Sequence, residues 1–155
     1  MLAETRIGAY PLLVVDRRRN IGSRSRRKIS DRFVVIVDDD ADNREMYAEY
    51  LRFAGCTVVT AVNGTAALAR IIARLPDAIV LDLSLPKLDG WAVATMLKAD
   101  PRTRPIPIVA VSGHTHPGAE SEARAAGVDA YLTKPCLPED VLKTIQQLIE
   151  QRRSA

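Results

Sequence analysis

The chain has 155 residues, 47% hydrophobic and 26% charged, which suits one packed globular domain and excludes a largely disordered or collagen-like polymer. Its apolar runs are short, among them Pro11 to Val15 and Phe33 to Val37 at five residues each. That is far short of the roughly 18–20 needed to cross a bilayer, so no membrane span is expected.

The formal net charge of +3 is unevenly distributed: residues 1–31 hold eight Lys/Arg against three Asp/Glu, a net of +5, and the rest holds 14 against 16, a net of −2. Residues 1–31 therefore read as a basic extension, and Asp16 to Ser30 within it as a solvated, disordered tail. Its arginines follow a short apolar run instead of preceding a long one, the reverse of a secretory signal, so a cytoplasmic location is expected. The mildly acidic body argues against sequence-specific nucleic-acid binding. Cys56 and Cys136 match no metal or redox spacing and read as free thiols in a reducing compartment.

From residue 32 the hydrophobic period alternates. Phe33 to Val37 is a β-branched run without polar alternation, the pattern of a strand covered on both faces. Met46, Tyr47, Tyr50, Leu51 and Ala54 form a helical stripe closed by Gly55. Thr57 to Ala61 reads as a strand, Leu68, Ile71, Ile72 and Leu75 as a helix face ending near Pro76, and Ala78 to Leu81 as a strand. Trp91 to Ala99 reads as a helix, Ile108 to Val111 as a strand, Ala119 to Ala126 as a short helix before Gly127, and Ala130 to Thr133 as a fifth strand. Val141, Leu142, Ile145, Leu148 and Ile149 mark a last amphipathic helix with Pro138 near its start. Five strands alternating with five helices predict a doubly wound α/β domain around a parallel sheet.

Such sheets present their ligands at the carboxyl ends of the strands. Here those ends carry Asp38-Asp39-Asp40, Asp82, Ser112 and Lys134-Pro135. The aspartate triplet alone is equally consistent with acids favouring a helix N-terminus. Acids, a hydroxyl and a lysine at the ends of four strands point further. Gathered carboxylates repel unless a cation joins them, and hard oxygen ligands favour Mg²⁺.

Four segments carry a family resemblance: Val37-Asp38-Asp39; Leu81 to Pro86 with Asp89-Gly90; Val111-Ser112-Gly113; and Tyr131 to Pro135. Together they resemble the receiver domain of two-component response regulators, over residues 32–152, with separations of 43 (39 to 82), 30 (82 to 112) and 22 (112 to 134). The resemblance implies a flavodoxin-like five-stranded sheet of order 2-1-3-4-5. It implies Asp82 as the phosphoacceptor, a carboxylate nucleophile. Mg²⁺ is then held by Asp38, Asp39, Asp82 and the backbone carbonyl of Ser84. Lys134 and Ser112 contact phosphoryl oxygens, Pro135 follows a cis peptide, and Tyr131 acts as the switch aromatic. In that family Ser84 and His114 occupy the positions that tune phosphoryl lifetime. The chain departs in having Ser112 where threonine is commoner.

The resemblance implies a phosphoacceptor signalling domain, not an enzyme with a separate substrate. Its partners are a histidine kinase or histidine phosphotransfer protein and a downstream target protein. With six residues after Ile149, a single-domain regulator is expected. The alternative is a non-phosphorylated adaptor. A haloacid-dehalogenase-type hydrolase fits less well, because Ser84 stands where a second acid is wanted. A nucleotide-binding domain lacks its Gly-rich loop.

Overall fold

The computed structural model describes residues 5–7, 10–12, 29–85, 88–114 and 116–154. Two short strands, β1 (Thr5–Ile7) and β2 (Tyr10–Leu12), pair antiparallel with Thr5 opposite Leu12. Most of the tail expected over Asp16 to Ser30 lies outside the described residues. A 3-10 turn, Ile29–Asp31, leads into the main sheet. Its Ile29 packs against the core and accepts a hydrogen bond from the Cys56 thiol at 3.2 Å, so the folded unit includes this turn.

The main sheet comprises β3 (Phe33–Val37), β4 (Thr57–Ala61), β5 (Ala78–Asp82), β6 (Ile108–Ser112) and β7 (Ala130–Thr133), all parallel, in the order β4-β3-β5-β6-β7. Counting these five alone, the order is 2-1-3-4-5, as the resemblance implies. Every residue of β3, β5 and β6 is buried, which is why these strands read as apolar runs with no polar alternation. Between them run α1 (Ala41–Phe53), α2 (Gly64–Ala73), α3 (Gly90–Ala99), α4 (Ala119–Ala125) and α5 (Pro138–Ser154).

Successive strand side chains point to opposite faces and so feed two cores. Val34, Ile36, Val80, Val109 and Val111 pack with Tyr47, Leu51, Val141 and Ile145 of α1 and α5. Val35, Val37, Ile79, Leu81, Ile108 and Ala110 pack with Ala67, Ile71, Val93, Leu97 and Ala123 of α2, α3 and α4. Asp40, Asn63 and Asp89 cap α1, α2 and α3, each side chain accepting from the backbone N–H three residues on. Gly55, at φ 102°, ends α1 in the left-handed region that glycine enters without a Cβ penalty.

The expected face of α2 is only partly right. Ala67 and Ile71 are buried, whereas Ile72 is 44% and Leu75 50% exposed. The helix stops at Ala73, and Arg74 turns extended (φ −151°, ψ 113°) two residues before Pro76. Leu75 therefore never joins the helical stripe, and the i, i+4 pair Ala67–Ile71 takes the core side.

Gly90 explains the Asp89-Gly90 signature in steric terms. A Cβ there would fall on the Asp82 carbonyl oxygen and 2.6 Å from Leu83 Cα. The start of α3 lies directly on the backbone leaving β5. A Cβ at Gly113, by contrast, would meet nothing within 4 Å. Gly90→Ala is expected to cost about 1–3 kcal/mol by forcing backbone apart, with Gly113→Ala far milder, as read by urea unfolding of both variants. Equal effects would refute the close-approach account.

Candidate functional site

The carboxyl ends of β3, β5, β6 and β7 meet at one edge. Asp38 is 2%, Asp82 3% and Ser112 0% exposed, while Asp39 is exposed. One carboxylate oxygen from each of Asp38, Asp39 and Asp82 lies within 4.8 Å of the others. Lys134 extends from the end of β7 and places Nζ 3.4 Å from Asp38 Oδ2 and 3.3 Å from Asp82 Oδ2. The other oxygen of each buried acid is held locally. Asp38 Oδ1 accepts from the Asp40 N–H at 2.9 Å, and Asp82 Oδ1 from the Ser84 N–H at 2.8 Å. The triplet thus divides: Asp38 and Asp39 join the cluster, and Asp40 caps α1, as the helix-terminus reading of acids would have it.

Burial disfavours the charged form of Asp38 and raises its pKa; the Asp40 N–H and Lys134 oppose this, and the Asp82 carboxylate adds to it. Burial also works against the Lys134 charge, but the Asp38 and Asp82 carboxylates outweigh it and raise the lysine pKa. A lysine clamped between two acids stays protonated.

Ser112 and Tyr131 are joined through a single residue. The His114 N–H donates to Ser112 Oγ at 3.0 Å, and the Tyr131 hydroxyl donates to the His114 carbonyl at 2.8 Å. The His114 ring lies across the pocket, with Nε2 3.3 Å from Ser84 Oγ and its centroid 6.1 Å from that of Trp91. The Lys134–Pro135 peptide is cis, as the resemblance implies. The structure therefore brings together Asp38, Asp39, Asp82, Ser84, Ser112, Tyr131 and Lys134. Pro86, in the second signature segment, lies outside the described residues.

Two contacts go beyond what the sequence signals. Arg44 donates from Nη1 to the Asp38 carbonyl at 2.9 Å, steadying the acidic turn from α1. The Tyr47 hydroxyl donates to the Cys136 carbonyl at 3.1 Å. The only trace of the first is the i, i+4 spacing from the cap Asp40 to Arg44, which becomes informative once the cap is known. Tyr47 reads as core, and nothing in its spacing marks the hydroxyl.

The family model described as "Response regulator receiver domain" matches residues 34–146. The chain belongs to this family. Among proteins similar to this receiver domain is the transcriptional regulatory protein PrrA of Mycobacterium tuberculosis, 36% identical over 121 residues, covering 78% of this chain and 51% of PrrA. The chain thus spans about half the length of that relative. Protein PilG of Pseudomonas aeruginosa is 32% identical over 113 residues, covering 73% of this chain and 84% of PilG. Among solved structures, chemotaxis protein CheY4 of Vibrio cholerae superposes with a TM-score of 0.71 at 32% identity, over 76% of this chain and 98% of that one.

The donor set of the receiver pocket suits a hard divalent cation. Three carboxylates converge, and each of the two buried ones keeps an oxygen toward Lys134. In the absence of a cation, Asp38 is a stability cost at neutral pH. Its folded-state pKa lies above the ordinary value, so the stability of the protonated form is complete in acid and is lost as pH rises through the folded pKa. Asp38→Asn is expected to raise Tm at pH 7 in metal-free buffer, with the gain fading as the pH is lowered into the range where Asp38 is protonated in both states. A gain that persists unchanged at low pH would show that the effect is not one of charge.

Proposed function

We propose that Asp82 accepts a phosphoryl group from the phosphohistidine of a histidine kinase or histidine phosphotransfer protein, and that the phosphorylated receiver signals through contact with a downstream protein. The observation that carries this reading is the Lys134 ammonium seated between the buried Asp38 and Asp82 carboxylates at the carboxyl edge of the sheet. A buried carboxylate held by a backbone N–H and a lysine is an oriented nucleophile that needs no proton removed. As its oxygen bonds to phosphorus, the P–N bond of the donor breaks and the imidazole leaves with the bonding pair. Lys134 then faces the new phosphoryl oxygens as a fixed cation.

Asp38, Asp39, Asp82 and the Ser84 backbone carbonyl are the residues that would hold Mg²⁺. When bound, the ion neutralises charge as two anionic groups approach. Ser112 Oγ is the donor for another phosphoryl oxygen. Because it already accepts from the His114 N–H, a shift of Ser112 is transmitted to the His114 carbonyl and from there to the Tyr131 hydroxyl. Tyr131 is the switch residue in this reading.

The chemistry is that of a signalling phosphoacceptor in the cytoplasm, with self-phosphorylation and loss of the phosphoryl group as its only turnover. Likeness to PilG over most of that protein's length supports a regulator built of the receiver domain alone. The stretch before the core-packed Ile29–Asp31 turn is taken as an extension outside the phosphoaccepting unit, and no sequence-specific nucleic-acid contact is part of the reading. Among the described residues, no helix is long and apolar enough to cross a membrane.

Incubation with acetyl phosphate and Mg²⁺ is expected to add the mass of one phosphoryl group to the intact protein. Asp82→Asn should abolish the gain, and Lys134→Ala should slow it at least tenfold, the loss of a charge-assisted contact. A wild-type protein that gains no mass would favour the adaptor reading, and labelling that survives Asp82→Asn would place the acceptor elsewhere.

A further inference from the structure

We propose that Tyr47 is the positioning residue for Lys134: its buried hydroxyl, reaching from α1, holds the turn that delivers the lysine to the acidic pair. Tyr47 is 2% exposed and packs in the core between the sheet, α1 and α5. A phenylalanine would fill that space equally well. The hydroxyl instead spends its donor on the carbonyl of Cys136 at 3.1 Å, across 89 residues of sequence.

Cys136 is two residues beyond Lys134. The lysine's own N–H donates to the Ser112 carbonyl at 2.8 Å. The turn is therefore pinned on one side by β6 and on the other by α1, with Lys134 between the two attachments. This matters for lysine in particular. Its four-carbon stem has many rotamers, and holding Nζ within 3.3 Å and 3.4 Å of two carboxylates requires a fixed backbone at its base. Burial pushes the Tyr47 phenol up to about 12, with the ionisable groups of Cys136, Asp38 and Asp82 adding to the shift. The hydroxyl thus remains a donor throughout the physiological range.

The activity readout of this inference rests on the reading of Asp82 as phosphoacceptor; its spectroscopic readout does not. In the full chain, Tyr47→Phe is expected to slow phosphoryl uptake from acetyl phosphate and Mg²⁺ about fivefold, the equivalent of one hydrogen bond. In a Lys134→Ala background the same substitution should change nothing further, because the two act through one group. Tyr47→Leu, which also removes the ring, should match Tyr47→Phe in rate ratio while unfolding at a lower temperature. Without any phosphodonor, the two ε-methylene protons of Lys134 should give distinct NMR shifts in the wild type and converge in Tyr47→Phe.

Equal slowing in both backgrounds would overturn the proposal and leave Tyr47 a core residue, as would unchanged methylene shifts. If the wild type takes up no phosphoryl group, the reading of Asp82 fails, and the methylene shifts alone decide the role of Tyr47.

Discussion

The site depends on one lysine between two buried aspartates. Two like charges about 4 Å apart repel by roughly 4 kcal/mol at the effective dielectric of a protein surface, and more where water is excluded. The fold brings Asp38 and Asp82 together because they end adjacent strands, β3 and β5, whose registers are locked by fully buried β-branched side chains. Lys134 makes this tolerable, each acid having one oxygen toward the ammonium and the other toward a backbone N–H. With Asp39 included, three carboxylates and one ammonium leave a formal charge of −2. That residue of charge matches one divalent cation and gives the pocket its chemical character.

Much of this is legible in the sequence because the signals are physical and local. Strands covered on both faces must be continuously apolar, so Phe33 to Val37 and Ile108 to Val111 stand out. The polar residues that interrupt them mark the strand ends, and in a parallel sheet those ends share one edge. Sequence alone does not divide labour within the aspartate triplet, since a cap and a cluster ligand are the same residue type until α1 is placed. It also misleads at α2, where Ile72 and Leu75 look as apolar as Ile71, but Ile72 lies on the outer side of the helix and Leu75 beyond its end. The pairing of β1 with β2 has no sequence signal either: three-residue strands are too short for alternation to register. Contacts made by one atom of a residue otherwise spent on packing, such as the Tyr47 hydroxyl, leave no periodic trace.

The helices divide their service unequally. α1 braces the pocket through Arg44 and Tyr47, and both contacts end on main-chain carbonyls. α3 contributes through contact alone, with Gly90 laid on the Asp82 backbone. The acidic edge is thus braced from both faces of the sheet by elements whose own cores are separate.

His114 has a divided character. Its amide and carbonyl connect Ser112 to Tyr131, while its imidazole projects toward Ser84. Any amino acid with an ordinary peptide unit can supply the first connection. A substitution of the imidazole would therefore remove its contact with Ser84 while leaving the mechanical linkage through the peptide groups in place.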